Sequence, residues 1–295
     1  MKLGFLTACL PESDLSDIAR WAAEQGFQAL EVAAWPAPDP RNHIRVDQFD
    51  EAESTRVKKI FEETGLTLSS IAYYDNNLHP TRRAGINAHL RRCVDAAAEL
   101  GCPTVGTFVG RDPGLTVDAN LKLAEEVFAP VVEHAARRGV TIVIENCVMK
   151  SWHPDGYPGN LAYSPELWEW MFTLGLKLNY DPSHLVGLGI DPIAAVTPYV
   201  DRIAHVQAKD TQILPGRIDR YGFYGPLGGD KGWYRFRVPG LGQVDWARLI
   251  DVLYEGGYDG VISVEHEDPV WSGDPAKVRA GLGIAYRTLH GLIVG

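Results

Sequence analysis

Hydrophobic and polar residues follow two alternating patterns along the chain. Short continuous apolar runs predict buried strands, and between them apolar residues recur every three or four positions, as in amphipathic helices. Six glycines stand where a helical pattern gives way to an apolar run: Gly26, Gly65, Gly101, Gly139, Gly175 and Gly257. Glycine just past a helix end supplies the left-handed conformation that stops the helix, so each glycine predicts a junction between a helix and a strand.

This repeat predicts eight strands. They lie near residues 2–8, 28–33, 67–73, 103–109, 140–146, 176–181, 202–208 and 260–265. Eight alternating β and α units predict an α/β protein that folds as a (β/α)8 barrel, or TIM barrel. The alternative is an open doubly wound sheet, but no GxGxxG or P-loop pattern follows a strand to favour it. No linker divides residues 1–295, so we expect a single domain.

Two connections are longer than the two to six residues that usually join a strand to a helix. They run from residue 147 to 163, after the fifth strand, and from residue 209 to 244, after the seventh. Both leave the carboxyl ends of strands, where TIM-barrel active sites lie. The second is rich in aromatic residues, arginine and glycine, and we expect it to be a loop that acts as a lid over the substrate.

Composition narrows the class of partner. The chain has 28 basic and 38 acidic residues, a net charge of −10. This balance disfavours nucleic acid, whose phosphates require a basic surface, and favours a small-molecule substrate. No apolar run approaches the roughly 20 residues of a membrane helix, so no membrane partner is expected. Four cysteines without a CxxC pair predict reduced thiols and a cytoplasmic protein. Residues 2–10 faintly resemble a lipoprotein signal, but they fit a buried first strand better.

Polar side chains end the last four predicted strands. The fifth strand ends in Glu145, the sixth in Asp181 and the eighth in Glu265, and Gln207 lies on the seventh. If all four point inward, three carboxylates meet, and without a cation they repel one another and raise their pKa values. A divalent cation removes this conflict, and three carboxylates with one amide oxygen suit Mn²⁺, Mg²⁺ or Co²⁺. Each acid taken alone could instead be a hydrogen-bonded strand end.

The motifs at these strand ends resemble a known family. They are Ile144-Glu145-Asn146, Asp181-Pro182-Ser183-His184, His205-Val206-Gln207-Ala208-Lys209-Asp210, Gly240-Leu241-Gly242-Gln243-Val244-Asp245-Trp246 and Ser263-Val264-Glu265-His266. Nearly the whole chain is similar to the xylose-isomerase-like superfamily of sugar isomerases and epimerases, which includes hydroxypyruvate isomerases, ketose epimerases and inosose dehydratases. The resemblance implies one divalent cation, Mn²⁺ in the first place, bound by Glu145, Asp181, Gln207 and Glu265.

The chain departs from the ketose 3-epimerase branch at two positions. Gln207 stands where those enzymes have a histidine ligand, and Ile213 stands where an arginine is expected. Glutamine at the first position is also typical of hydroxypyruvate-isomerase-like members, so the resemblance still implies metal binding. It does not imply a plain ketose 3-epimerase.

The implied reaction is proton transfer next to a carbonyl group. The metal would stabilise the enediolate, while Glu145 and Glu265 remove and return the proton. We expect His153 to be either a further acid or base or a solvated loop residue. The substrate-binding residues that we expect are His184, Trp35, Tyr74, Lys209 and Glu267. For Lys209 and His184, a purely structural role in holding neighbouring acids is the alternative.

Three function classes remain open. The first is a sugar or keto-polyol isomerase or epimerase, and the second is a lyase that dehydrates an inosose or cleaves a 3-keto-glycoside by elimination. The third is an apurinic-endonuclease-like nuclease or a non-catalytic sugar-binding barrel, which the acidic charge disfavours. The sequence leaves open the identity of the sugar, whether the chain forms a homo-oligomer and whether it needs an accessory subunit.

Overall fold

A computed structural model describes residues 1–149, 158–223 and 232–294. Its strands are β1 (Lys2–Leu6), β2 (Ala29–Ala33), β3 (Thr67–Asn76), β4 (Thr104–Phe108), β5 (Thr141–Glu145), β6 (Lys177–Tyr180), β7 (Ile203–Ala208), β8 (Asp210–Ile213), β9 (Tyr234–Arg237) and β10 (Val261–Val264). Strands β1 to β7 and β10 pair in parallel, each with the next, and β10 pairs with β1, so that the sheet closes into a barrel. The predicted (β/α)8 fold is confirmed.

Helices alternate with the barrel strands. They are α1 (Leu15–Glu24), α2 (Glu51–Thr64), α3 (Arg83–Leu100), α4 (Val117–Arg137), α5 (Pro165–Thr173), α6 (Pro182–Val186), α7 (Pro192–Val196), α8 (Pro215–Tyr221), α9 (Trp246–Glu255) and α10 (Pro275–Leu289). All six glycines predicted to end helices have positive φ angles. Within the described ranges, no helix combines the length and apolar character needed to cross a membrane.

The core has the layered arrangement expected of a barrel. Strands β2 and β4 are buried at every residue, because one face of each points into the barrel and the other packs under helices. Helix α1 buries Leu15, Ile18, Ala19 and Ala22, which recur at helical spacing on one face. Apolar burial on both sides of the sheet therefore holds the carboxyl ends of the strands at one rim, where the polar side chains gather.

The segment after β7 corrects one expectation. We expected a long loop from residue 209 to 244, but β8 and β9 form a two-stranded antiparallel sheet, with Asp210 paired to Arg237 and Ile213 to Tyr234. Strand-forming residues such as Thr211 and Phe236 fill these positions, and pairing between the two strands satisfies backbone groups that a loop would leave to solvent. Helix α8 follows β8, and residues 224–231 lie outside the described ranges.

Asp210 anchors this sheet to the barrel. Its buried carboxylate accepts hydrogen bonds from the backbone N–H groups of Gly240 and Val244, both at 3.0 Å, and from Trp246 Nε1 at 3.1 Å. A Cβ atom at position 242 would collide with Asp210 Oδ1, so glycine is required there. The chain that returns from β9 to α9 is thus wrapped around one carboxylate beside the predicted site.

Candidate active site

Three acidic side chains converge at the carboxyl rim of the barrel. Glu145 is the last residue of β5, Asp181 follows β6 and Glu265 follows β10. One oxygen of each carboxylate lies within 4.8 Å of the others, and all three residues are buried. Asp181 also caps α6, because its Oδ1 accepts a hydrogen bond from the Ser183 N–H group at 2.8 Å. The predicted convergence of strand ends on one point is present in the structure.

Lys209 extends into this group of carboxylates. Its Nζ lies 2.7 Å from Glu265 Oε2 and 3.1 Å from Asp181 Oδ2, and the residue is only 1% exposed. Nζ also lies 3.0 Å from the carboxylate of Glu267, whose side chain is half-exposed. An ammonium group therefore already lies among acids that we expected only a metal ion to neutralise. Contact between substrate and Lys209 or Glu267 remains a prediction.

His184 joins the same group of acids. Its Nε2 lies 3.0 Å from Glu145 Oε1 and 3.3 Å from Asp181 Oδ2, and its ring packs edge-on against Phe236. Cys147 belongs to a second group with Glu145 and His184, in which the ligand atoms lie within 4.8 Å of one another. In this conformation His184 holds two acids, and its contact with substrate remains a prediction.

Burial and charge shift the pKa values of these groups in opposite directions. Burial raises the pKa of Glu145, and burial together with the charge of Glu145 raises that of Glu265 well above its usual value. Burial acts against ionisation of Asp181 too, but Lys209 and His184 hold its pKa below the usual range. Burial opposes charge on Lys209, yet the surrounding acids raise its pKa well above that of a free lysine. The Lys209 ammonium group and the surrounding acids thus shift one another's pKa values.

Gln207 presents an unpartnered oxygen inside the barrel. Its Nε2 donates hydrogen bonds to Glu31 Oε1 at 3.2 Å and to Tyr74 Oη at 3.1 Å. Its Oε1 is buried and has no hydrogen-bond partner among the residues that the structure describes. A buried amide oxygen without a partner costs free energy, and a divalent cation is one ligand that would satisfy it. The carboxylates and this oxygen are the hard oxygen donors that suit Mn²⁺ or Mg²⁺.

Glu31, in the middle of β2, was not among the predicted site residues. The side chain is fully buried, and besides Gln207 it accepts hydrogen bonds from Tyr74 Oη at 2.5 Å and Ser263 Oγ at 2.9 Å. A signal was present, because Glu31 is the single charged residue in the apolar strand Ala29–Ala33. Acids are almost never fully buried without a specific role or partner.

Trp35 and Tyr74 lie side by side at the rim. Their ring centroids are 6.1 Å apart, and the guanidinium of Arg41 lies 4.3 Å from the Trp35 ring. The Tyr74 hydroxyl is engaged with Glu31, so only its ring remains for the substrate contact that we predicted. Trp35 is half-buried and offers a ring face. His153, the predicted extra acid or base, lies outside the described residues.

Comparison with known proteins agrees with this fold. Residues 19–287 match the family model described as xylose isomerase-like TIM barrel. The chain is 25% identical over 327 aligned residues to the uncharacterized protein YfiH of Bacillus subtilis, covering 98% of this chain and 99% of YfiH. It is 36% identical over 102 residues to the inosose dehydratase of Lacticaseibacillus casei, which covers 35% of this chain and 32% of that enzyme.

Solved structures share the barrel at low sequence identity. A crystal structure of IolI protein with a bound zinc atom is 19% identical, with a TM-score of 0.69, and the match covers 99% of this chain and 96% of IolI. Other structures with the same fold are of sugar epimerases and a probable dehydratase. At these identities the likeness shows the fold alone.

Proposed function

This chain belongs to the xylose isomerase-like TIM barrel family, and on that premise we propose that it is a divalent-metal-dependent sugar or keto-polyol isomerase or epimerase. One observation carries the proposal: three buried carboxylates from Glu145, Asp181 and Glu265 bring oxygens within 4.8 Å of one another at the carboxyl rim. We assign the buried and unpartnered amide oxygen of Gln207 as a fourth donor to Mn²⁺.

The residues around this site suit proton transfer next to a carbonyl group. A bound divalent cation would act as a Lewis acid, polarising a carbonyl oxygen and acidifying the adjoining C–H bond. Glu145 on β5 and Glu265 after β10 approach the centre from strands that are separated by β6 and β7. We assign one as the base that removes the proton and the other as the acid that returns it.

Other side chains bind and orient the substrate. We assign the ring faces of Trp35 and Tyr74 to the apolar face of a sugar, since apolar and aromatic surfaces line most small-molecule sites. His184 and Lys209 lie against the acids and offer N–H donors to substrate oxygens once a cation relieves the acids of their present partners. Glu267 is half-exposed and can then hold the Lys209 ammonium group.

A lyase is the second candidate, because the relatives named inosose dehydratase match about a third of the chain at 35–36% identity. Removal of the same carbon-bound proton leads to elimination when a leaving group stands on the neighbouring carbon. The same residues serve both reactions, and the difference is whether the proton returns to carbon or a substituent departs.

One experiment tests the proposal and separates the candidates. Protein loaded with Mn²⁺ is incubated in D₂O with a panel of ketoses, inososes and 3-keto-glycosides, and the products are followed by NMR and mass spectrometry. We expect deuterium at the carbon next to the carbonyl, with an epimer or isomer as product; an unsaturated ketone would favour the lyase. Exchange should vanish in Asp181→Ala. Metal-loaded protein that neither exchanges a proton nor forms a product with any of these substrates would contradict both candidates.

A further inference from the structure

A buried carboxylate on β2 faces the amide group of Gln207. Glu31 is fully buried, and its two oxygens lie 3.2 and 3.4 Å from Gln207 Nε2. No basic side chain forms an ion pair with Glu31 in the part of the chain that the structure covers. The hydrogen-bond partners of this acid are neutral groups: Tyr74, Ser263 and Gln207.

These contacts select one orientation of the Gln207 amide. A carboxylate accepts hydrogen bonds, so the NH₂ group of Gln207 faces Glu31 favourably, whereas the reversed amide would bring its Oε1 against two acceptor oxygens. Tyr74 Oη reinforces the choice, because it donates to Glu31 and accepts from Gln207 Nε2 at 3.1 Å and Asn179 Nδ2 at 2.7 Å. Its one proton is committed to Glu31, which leaves it an acceptor toward Gln207.

This orientation determines which group Gln207 presents on the side away from Glu31. With its NH₂ group held by Glu31 and Tyr74, Gln207 must turn its Oε1 away from them, and that buried oxygen has no partner among the described residues. The reversed amide would present two N–H donors there, and an N–H donor cannot ligate a cation. A glutamine ligates a cation through its oxygen, so a partner that fixes this orientation in advance strengthens metal binding.

We propose that Glu31 is a positioning residue that holds the Gln207 amide so that its oxygen, and not its NH₂ group, is presented to a divalent cation. This inference rests on the proposed metal site, and adds to it a residue that would touch neither cation nor substrate. Glu31 acts from β2, across the barrel from Gln207 on β7, and so makes metal affinity depend on a strand that supplies no ligand.

Exchanging the carboxylate at position 31 and the amide at position 207 tests whether Glu31 positions Gln207. In Glu31→Gln the new amide can turn its own NH₂ group toward Gln207 and so favour the reversed Gln207 amide; a roughly tenfold preference for the reversed amide should weaken Mn²⁺ binding about tenfold. In Gln207→Glu alone, two carboxylates would face each other, and the metal-free protein should unfold at a lower temperature. In the double variant, the new amide at position 31 donates to the new carboxylate at position 207, and both stability and Mn²⁺ affinity should recover toward wild type.

Ser263→Ala is the matched control, since it removes another hydrogen bond to Glu31 and leaves the Gln207 contact in place. Its Mn²⁺ affinity, measured by electron paramagnetic resonance of free Mn²⁺, should stay within about threefold of wild type. Thermal unfolding without metal reports whether each variant folds. Wild-type affinity in a folded Glu31→Gln, or no recovery in a folded double variant, would overturn the role of Glu31 alone. Wild-type protein that binds no Mn²⁺ would overturn the proposed function and this inference with it.

Discussion

Replacing Lys209 with methionine should tighten metal binding. The Lys209 ammonium group lies 2.7 Å from Glu265, 3.1 Å from Asp181 and 4.0 Å from Glu145, so a cation bound by these acids must displace it. Two unit charges 4 Å apart interact by about 4 kcal/mol at an effective dielectric constant of 20, and more for a doubly charged ion. Movement of the side chain toward the half-exposed Glu267 would recover much of this energy.

The gain in Mn²⁺ affinity should therefore be smaller than the full Coulomb energy between Lys209 and the bound cation. If the Lys209 ammonium group opposes Mn²⁺ binding by only about 1.4 kcal/mol in wild type, the Kd for Mn²⁺ should fall about tenfold in Lys209→Met. We expect at least this change. The metal-free variant should be less stable by about 3–5 kcal/mol, because acids buried with Lys209 lose their partner. Added Mn²⁺ should then raise the midpoint of thermal unfolding more in the variant than in wild type.

Titration calorimetry and thermal unfolding with and without Mn²⁺ check these expectations. Lys58→Met is the matched control, because Lys58 pairs with Glu99 at 2.9 Å on the exposed surface and should change neither quantity by much. An unchanged or weaker Mn²⁺ affinity in a folded Lys209→Met would refute the view that the ammonium group competes with the metal.

Three further predictions concern proton release, anchoring and substrate contact. Burial raises the pKa values of Glu145 and Glu265, so we expect Mn²⁺ to displace protons when it binds and its affinity to rise with pH until both acids are ionised. Calorimetry in buffers of different ionisation enthalpy should detect the released protons. An affinity that falls with rising pH would contradict this expectation. Asp210→Ala leaves buried N–H donors unpaired and should lower the free energy of unfolding, measured by urea titration, by on the order of 3 kcal/mol. The control Asp245→Ala removes only a helix cap and should cost about 1 kcal/mol. Equal losses would argue against Asp210 as the residue that anchors the β8–β9 sheet. Trp35→Ala should raise KM about fivefold, because the substrate loses an aromatic contact of about 1 kcal/mol, and it should leave Mn²⁺ affinity unchanged. An unaltered KM would show that Trp35 does not contact the substrate.

Local pattern was enough to predict the barrel. Glycines such as Gly65 and Gly139 mark helix ends whatever surrounds them, because positive φ is a local requirement. The convergence of Glu145, Asp181 and Glu265 could also be predicted, since the carboxyl ends of parallel strands meet at one rim.

The contacts between distant segments could not be predicted in the same way. Lys209 could point to its neighbour Asp210 or into the acids, and only the closed barrel brings it to Glu265. The bond between Glu31 and Gln207 joins residues that are 176 positions apart. Asp210 and Arg237 pair across an antiparallel sheet whose strands are joined by residues 214–233, a far longer connection than the roughly two to five residues of a common hairpin loop.

The metal content of the protein tests the proposed site most directly. After equilibrium dialysis against Mn²⁺, wild-type protein should hold one ion per chain, and Glu99→Ala, an exposed acid changed as a control, should hold the same. The folded double variant Glu145→Ala, Asp181→Ala should hold none. Full stoichiometric Mn²⁺ in that double variant, or no bound ion in wild type, would contradict the assignment of these carboxylates as metal ligands.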